Sequence, residues 1–283
     1  MPTFTAPDGT ELAYHVRGAG EPLLCVPGGP MRASAYLGDL GGLAAHRRLV
    51  LLDLRGTGDS EVPADPATYR CDRQVADVEA LRDHLGLDRV DLLAHSAGGD
   101  LALLYAARHP RRVRTLTLIT ARARALGVDF TEEHRREAAA LRTAEPWFGA
   151  AYAAYERIRA GSDADADWDA VSPFFYGRWD TAARAHAAAD VEQSNAEAAE
   201  VYASSGAFSP AAARAVVETL DAPVLLLAGE LDSGPLPRVA ADIAGLFPKA
   251  RLTVQPGSGH FPWLDDPRGF TRTVTAFLEV GAV

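Results

Sequence analysis

Short apolar runs alternate with stretches of helical periodicity through the first 120 residues of the chain, and again after residue 220. The earliest run, at 11–17, alternates apolar and polar positions, as a strand exposed on one face does. The later runs are mostly continuous, which is typical of strands buried on both faces of a mainly parallel sheet. They cover residues 22–26, 47–53, 90–94, 113–119, 223–228 and 251–255.

Helical patterns lie between these runs. Residues 75–85 carry one apolar stripe that Gly86 ends. Further helices are predicted just after residue 96, over 236–247 and over 267–280. This alternation predicts an α/β fold with a mainly parallel, doubly wound sheet and right-handed crossovers.

The stretch from about residue 121 to 220 has no strand pattern and is rich in alanine. Its helical segments lie near 132–144, 147–160, 182–205 and 209–220, with a polar, acidic interruption at 161–169. A crossover between parallel strands needs about a dozen residues, and this stretch is several times longer. We therefore predict an α/β core of residues 1–121 and 220–283 with a helical cap inserted at 122–219. Ordinary crossover helices are the alternative.

Composition and charge narrow the classes of partner. The 283 residues have a formal net charge of −10, and an acidic protein repels phosphate backbones, so we expect no nucleic-acid partner. No apolar run approaches the ~20 residues that span a bilayer, and residues 1–9 lack a signal-peptide pattern. We expect a cytoplasmic protein with no membrane partner.

The two cysteines, Cys25 and Cys71, indicate neither a disulfide framework nor a zinc site. The sequence does not indicate an oligomeric state.

One serine lies where a predicted strand turns into a helix, in the segment AHSAGG at 94–99. A nucleophile on such a tight turn needs small flanking residues. Gly98 meets this need on the helix side, whereas Ala94 stands where the usual G-x-S-x-G pattern has glycine. An ordinary helix-capping serine is the alternative for Ser96. The adjacent His95 is expected to pack behind the sheet.

Two further residues follow predicted strands and complete a nucleophilic constellation. His260 is the best placed of the eight histidines, in a glycine-rich loop after the last strand. Loops at the carboxyl ends of parallel strands are where α/β sheets place their sites. Asp232, which follows the strand at 223–228, is the predicted carboxylate that orients the imidazole, with Glu230 as its rival. Asp53, at the end of another strand, is predicted to anchor a loop.

An oxyanion hole needs two backbone N–H groups. Ala97, after the serine, is the predicted source of one. Gly29, in the loop Pro27-Gly-Gly-Pro30, is the predicted source of the other. Neither this loop nor Gly56-Thr-Gly58 fits a nucleotide-binding pattern, and we predict no cofactor and no metal.

Five segments, in order, resemble the α/β-hydrolase superfamily and, within it, the proline iminopeptidase-like branch. They are Cys25–Pro30 (CVPGGP), Leu51–Ser60 (LLDLRGTGDS), Ala94–Gly99 (AHSAGG), Gly229–Asp232 (GELD) and Gly257–Pro267 (GSGHFPWLDDP). The resemblance implies a triad of Ser96, Asp232 and His260, an oxyanion hole near Gly29 and Ala97, and a helical cap over the site. The Ser-acid-His order is the one found in this superfamily.

The sequence departs from the family pattern at positions that determine substrate specificity. Pro27 replaces the histidine usual in the HGGP-type loop, and proline iminopeptidases hold the substrate's amino group with cap and loop carboxylates. The candidate substrate-binding residues here are the carboxylates Glu197, Glu200 and Glu230 and the aromatic residues Trp147, Phe175 and Trp179. Solvated helix faces, for the carboxylates, and the packing of cap helices, for the aromatic rings, are the alternatives.

A serine nucleophile indicates acyl transfer, because the haloalkane dehalogenases and epoxide hydrolases of the superfamily use a carboxylate instead. We predict a serine hydrolase that acts through an acyl-enzyme on a small-molecule ester, lactone or amide. A proline iminopeptidase-type aminopeptidase, and a tailoring enzyme that catalyses a cyclisation or another non-hydrolytic step, are alternatives. A non-enzymatic receptor or scaffold is a third.

Overall fold

The computed structural model describes residues 1–280 and contains an eight-stranded sheet. The strands are β1 (Thr3–Thr5), β2 (Glu11–Arg17), β3 (Pro22–Val26), β4 (Arg48–Leu52), β5 (Val90–His95), β6 (Val113–Ile119), β7 (Val224–Gly229) and β8 (Ala250–Gln255). Their spatial order is β1-β2-β4-β3-β5-β6-β7-β8. The pairs β1–β2 and β2–β4 are antiparallel, and all other neighbours are parallel. The predicted α/β fold with a mainly parallel sheet is confirmed.

The α-helices lie in the connections that follow β4 and after the last strand, β8. They are α1 (Cys71–His84), α2 (Gly98–Arg108), α3 (Glu132–Ala140), α4 (Phe148–Arg159), α5 (Asp165–Val171), α6 (Thr181–Ala188), α7 (Asp190–Gln193), α8 (Ala196–Tyr202), α9 (Pro210–Val217), α10 (Pro237–Ala244), α11 (Pro262–Asp265) and α12 (Pro267–Val280). No helix within residues 1–280 combines the length and the apolar composition that a membrane span needs.

Each face of the sheet has its own buried apolar cluster. In β3, Leu24 belongs to a cluster that includes residues of α1, α2, α9 and α10, whereas Leu23 and Cys25 belong to a cluster that includes residues of α12. Every residue of β5 and of β7 is buried. Burial on both faces explains why these strands are continuously apolar in sequence.

The segment between β6 and β7 forms α3 to α9. Residues of α3, α4 and α5, with Phe174, make a small apolar cluster separate from those of the sheet. By contrast, α9 packs against α2, so the inserted segment also contributes to the core. The boundaries at 122 and 219 stay a prediction.

The helix predicted over 182–205 is three short helices, α6, α7 and α8. The break before α8 has two causes. Ser194 forms a β-bridge with Arg32, and the side chain of Asn195 caps α8 by accepting from the N–H of Ala198 at 3.0 Å. Tertiary pairing therefore overrides the helical propensity of this alanine-rich stretch.

Candidate active site

Ser96 occupies a strained turn between β5 and α2. Its φ is 52°, in the left-handed region, which costs a residue with a Cβ about 1–3 kcal/mol. Three backbone hydrogen bonds hold the turn. The N–H of Ser96 donates to the carbonyl of Ile119 at 3.1 Å, and the carbonyl of Ser96 accepts from Gly99 and Arg122, each at 2.9 Å. The surrounding structure thus fixes the direction of the Ser96 side chain.

Close packing explains the small residues around this turn. A Cβ on Gly28 would lie 2.7 Å from the His95 carbonyl oxygen and 2.8 Å from the Ser96 Cβ. A Cβ on Gly98 would lie 2.8 Å from the Val26 carbonyl oxygen. Ala94 is buried and keeps its place in the sheet beside β3 and β6. The departure from glycine at this position therefore leaves the turn intact.

His260 and Asp232 form a buried pair. The Nδ1 of His260 lies 3.0 Å from Oδ1 and 3.1 Å from Oδ2 of Asp232. Oδ1 also accepts from the N–H of Gly234 at 2.7 Å, and Asp232 is 0% exposed. Because a carboxylate can only accept, Nδ1 carries the imidazole proton, and Nε2 is left as the basic nitrogen.

The rival carboxylate is engaged elsewhere. Glu230 is exposed, and its Oε2 accepts from the N–H of Gly257 at 2.7 Å. It therefore holds the start of the loop that carries His260 and does not contact the imidazole.

The main chain of His260 is held from both sides. Its N–H donates to the carbonyl of Phe175 at 2.7 Å. Its carbonyl accepts from Oγ1 of Thr120 and from Nε2 of His95, each at 2.9 Å. The inserted helical segment and the sheet therefore both position the imidazole.

Tyr36 and His95 link the main-chain carbonyl of His260 to the loop at residues 27–30. The N–H of Gly28 donates to the hydroxyl of Tyr36 at 2.7 Å, and this hydroxyl donates to Nδ1 of His95 at 2.7 Å. Since the His260 carbonyl can only accept, His95 carries its proton on Nε2 and its Nδ1 is an acceptor. The direction of each hydrogen bond from Gly28 to His260 is therefore fixed. Burial holds the pKa of His95 well below its usual range, so this imidazole stays neutral.

The expectation that His95 packs behind the sheet is wrong. The ring centroids of His95 and His260 are 4.8 Å apart, and both rings line the cavity that Ser96 faces. The loop after β8 folds back over the end of β5, which brings the two rings together. An aromatic neighbour of the serine is thus part of the site.

Two backbone donors near the serine remain available. Within residues 1–280, the N–H groups of Gly29 and Ala97 have no acceptor, whereas that of Gly28 is taken by Tyr36. Gly29 has a φ of 119° and lines the cavity. Ala97 directly precedes α2, and its side chain is buried.

A cavity of about 640 Å³ joins Ser96 and His260 to the inserted helical segment. Of the six candidate substrate-binding residues, Phe175 lines it, and its ring centroid is 5.9 Å from that of His260. Trp147 packs edge-on against Phe174 with 5.1 Å between the ring centroids, and the ring centroids of Trp179 and Tyr176 are 5.4 Å apart. Glu197 and Glu200 are exposed on α8. In the described part of the chain these four residues, like Glu230, lie outside the cavity lining.

Charged side chains of the cavity were missed by sequence reasoning. The lining includes Arg32, Arg122, Arg135, Arg159, Glu132, Asp169 and Asp190. A signal existed for Arg122, which follows the carboxyl end of β6, where α/β sheets place their sites. Most of the others come from the inserted segment, whose helical pattern does not indicate which face meets the serine.

Asp53 anchors a loop, as predicted. Its Oδ1 accepts from the N–H of Ser34 at 2.7 Å and its Oδ2 from the N–H of Asp59 at 3.0 Å. Nε2 of His15 lies 2.9 Å from the same Oδ2. The side-chain ligand atoms of His15, Asp53 and Asp59 lie within 4.8 Å of one another, close enough for a cation. Both oxygens of Asp53 are already hydrogen-bonded, however, and this accounts for the cluster without an ion.

Known proteins share the sequence pattern and the fold. A family model described as the alpha/beta hydrolase fold matches residues 21–267. A Bacillus subtilis (strain 168) protein assigned as 2-succinyl-6-hydroxy-2,4-cyclohexadiene-1-carboxylate synthase is 26% identical, over 97% of each chain. A proline iminopeptidase of Levilactobacillus brevis is 28% identical over 91% of this chain and 88% of its own. An esterase from Rhodococcus sp. ECU1013 superposes with a TM-score of 0.74 at 26% identity, over 98% of each chain. The chain therefore belongs to the α/β-hydrolase fold family, and proline iminopeptidases are among its relatives.

Proposed function

We propose that the protein is a serine hydrolase in which Ser96 attacks a small ester, lactone or amide and forms an acyl-enzyme. One observation carries the proposal: Ser96, on a turn held at a φ of 52°, lines the same cavity as His260, whose Nδ1 is bound by a buried carboxylate. This geometry supplies a nucleophile, a base and an orienting acid. The esterase and peptidase names among the relatives support hydrolysis.

The proposed reaction follows from the hydrogen-bonding roles. Nε2 of His260 accepts the hydroxyl proton as Oγ of Ser96 attacks the carbonyl carbon. The imidazolium then gives this proton to the leaving group, and an acyl-enzyme remains. In the second half, His260 takes a proton from water, the hydroxide attacks the ester carbon, and the proton returns to Ser96. Asp232 stabilises the imidazolium in both halves.

The two available N–H groups, of Gly29 and Ala97, are the proposed oxyanion hole. Donors that are oriented before the reaction stabilise the negative charge of the tetrahedral intermediate, and losing one donor typically costs about 3–4 kcal/mol. The position of Ser96 at the amino end of α2 adds a favourable helix dipole.

The inserted helical segment is the proposed cap over the site. Oδ2 of Asp265 accepts from Gly177 in this segment at 3.0 Å and from Gly259 next to His260 at 2.8 Å. With the bond from His260 to the carbonyl of Phe175, this contact ties the cap to the base. The proposed cap thus closes the cavity and also holds the imidazole in place.

The positions and ion pairs of the carboxylates near the cavity favour ester and lactone substrates over N-terminal peptides. Glu197 and Glu200, the candidates for binding an amino group, are exposed and outside the cavity lining. Of the carboxylates that do line the cavity, Glu132 and Asp190 are already paired with arginines, at 2.6 and 2.8 Å. A substrate ammonium group would have to displace one of these pairs or bind to the third lining carboxylate, the exposed Asp169.

The Bacillus subtilis relative favours a second candidate. Its name is that of a synthase, and it matches along 97% of both chains. The same serine and histidine can move a proton without water attacking an acyl-enzyme, in a lyase or cyclisation step.

The test is turnover of p-nitrophenyl acetate and butyrate, an aryl lactone and proline p-nitroanilide by the wild-type protein and by S96A and H260Q. We expect turnover of the esters and the lactone, a burst equal to the enzyme concentration, and a loss of at least ~10³-fold in either variant. Folded wild-type protein that turns over none of these compounds would contradict the hydrolase and leave the non-hydrolytic candidate.

A further inference from the structure

The cavity contains a guanidinium without a carboxylate partner. Arg122 follows β6, its N–H donates to the carbonyl of Ser96 at 2.9 Å, and its side chain lines the cavity. The guanidinium carbon lies 5.0 Å from the centre of the Phe130 ring. Among residues 1–280, no carboxylate forms an ion pair with it.

A second guanidinium stacks on the same ring. Arg135 lies 4.6 Å from the centre of Phe130, and its nearest carboxylate oxygen, on Glu132, is 4.0 Å away. Arg159 approaches Glu132 more closely, at 2.6 Å. The charge of Glu132 is therefore compensated chiefly by Arg159. The positive charge of Arg135 is left largely uncompensated.

The charge balance of the cavity contrasts with that of the whole chain. The chain carries a formal charge of −10, whereas four arginines and three carboxylates line the cavity. Arg32 is paired with Asp190 at 2.8 Å, and the third carboxylate, Asp169, is exposed. The surplus positive charge lies at the Phe130 wall, on Arg122 and Arg135.

We propose that Arg122, assisted by Arg135, binds a carboxylate on the substrate, so that the preferred substrate is a small ester or lactone that carries one free carboxylate. The proposal rests on the proposed function of Ser96. A planar guanidinium binds a carboxylate through two parallel hydrogen bonds. A phosphate monoester carries about 1.5–2 negative charges at pH 7, which exceeds the formal net charge of +1 that the four arginines and three carboxylates of the lining leave.

The backbone geometry makes this contact specific. The hydrogen bond between the N–H of Arg122 and the carbonyl of Ser96 ties the cation to the turn that carries the nucleophile. A carboxylate on the guanidinium therefore fixes how far the scissile carbonyl lies from Oγ of Ser96. Acyl chains of the correct length place the carbonyl at the serine, and a neutral ester lacks this anchor.

The experiment compares matched p-nitrophenyl esters: the neutral butyrate against the hemisuccinate, hemiglutarate and hemiadipate. We expect the wild-type protein to prefer at least one anionic ester in kcat/KM. Arg122→Met keeps an unbranched apolar chain but removes the charge, and it should lower kcat/KM for that ester roughly 10- to 100-fold. Turnover of the butyrate should change less than about threefold.

Arg124→Gln is the matched control, because Arg124 lies two residues away, pairs with Asp129 at 3.4 Å and is absent from the lining within the described residues. It should leave both esters unchanged. If Arg122→Met lowers both esters equally, or if no anionic ester is preferred, the carboxylate site is wrong while the hydrolase stands. If the wild-type protein hydrolyses none of these esters, the proposed function itself fails.

Inhibition of butyrate hydrolysis distinguishes the kind of anion. Glutarate should compete with the ester in the wild-type protein and not in Arg122→Met, and inorganic phosphate at the same concentration should compete more weakly. Stronger competition by phosphate would overturn the assignment of a carboxylate.

Discussion

Both carboxylate oxygens of Asp232 lie within hydrogen-bonding distance of Nδ1 of His260, at 3.0 and 3.1 Å. The carboxylate is held in place independently of the imidazole, because Oδ1 also accepts from the N–H of Gly234. A Cβ on Gly234 would lie 3.0 Å from both Oδ1 of Asp232 and Nδ1 of His260. The pair is therefore closely packed, and the imidazole has little freedom to rotate.

Replacing Asp232 by Asn should lower kcat about 10³- to 10⁴-fold. The amide can donate as well as accept, so it no longer enforces the proton on Nδ1 or stabilises the imidazolium. Steady-state hydrolysis of a p-nitrophenyl ester measures the loss. Glu230→Gln is the control and should keep kcat within about threefold, since Glu230 bonds to Gly257 instead. An equal loss in both variants would mean that the acid is misassigned.

Ser96→Gly should be inactive and more stable than the wild-type protein by about 1 kcal/mol. Glycine adopts a positive φ without the steric cost that serine pays at 52°. Ser96→Ala should be inactive without that gain, because alanine keeps the Cβ. Urea denaturation of the three proteins measures the difference. A Ser96→Gly protein less stable than Ser96→Ala would contradict a strained turn.

Tyr36→Phe should lower kcat roughly 10- to 100-fold with little change in KM. The substitution leaves the N–H of Gly28 and Nδ1 of His95 without their partner, so the loop of Gly29 and the main chain of His260 are less firmly positioned. Loss of a buried partner also costs about 1–3 kcal/mol of stability.

A purely structural role for Tyr36 would lower stability and leave kcat of the folded fraction unchanged. Tyr14→Phe is the matched control, since its hydroxyl contacts His84 at 3.3 Å, away from the cavity lining. It should leave kcat and KM unchanged.

Asp100→Asn should change how stability depends on pH. Asp100 is 1% exposed, and burial raises its pKa from 3.8 to about 6. Because the folded state holds this proton more tightly than the unfolded state, titration of this carboxyl lowers the stability of the wild-type protein by about 2 kcal/mol as pH rises from 4 to 7. Asparagine lacks this titration and can still accept from the N–H of Ala125, which Asp100 does at 2.9 Å.

The free energy of unfolding of Asp100→Asn minus that of the wild-type protein should therefore increase by about 2 kcal/mol between pH 4 and 7. Denaturant titrations at several pH values measure it. Any constant cost of the substitution cancels in this comparison. A difference that does not vary with pH would contradict the raised pKa.

The sheet was largely predictable because its strands are continuously apolar. The predicted bounds of β2, β3 and β6 agree with the structure, as do those of α12. The missed strand, β1, is a three-residue edge strand that pairs with β2 alone, too short to show a periodicity. The long helix predicted over 182–205 failed for a tertiary reason, the bridge between Ser194 and Arg32.

The site was predictable where its residues follow strands. Ser96, Asp232 and His260 all lie at carboxyl ends of strands, and Arg122 does too, although its charge was overlooked. The remaining cavity wall was not predictable, because folding of the inserted segment brings Phe130, Arg135 and Arg159 together from α3, α4 and the loop before them. Local sequence patterns do not encode which face of those helices meets the serine.

The most direct test of Ser96 as the activated nucleophile is the reaction of the intact protein with a fluorophosphonate, followed by peptide mass spectrometry to locate the adduct. This assignment predicts a single adduct on Ser96, absent in Ser96→Ala and formed much more slowly in His260→Gln. A folded wild-type protein that takes up no label, or a label that persists in Ser96→Ala, would contradict it.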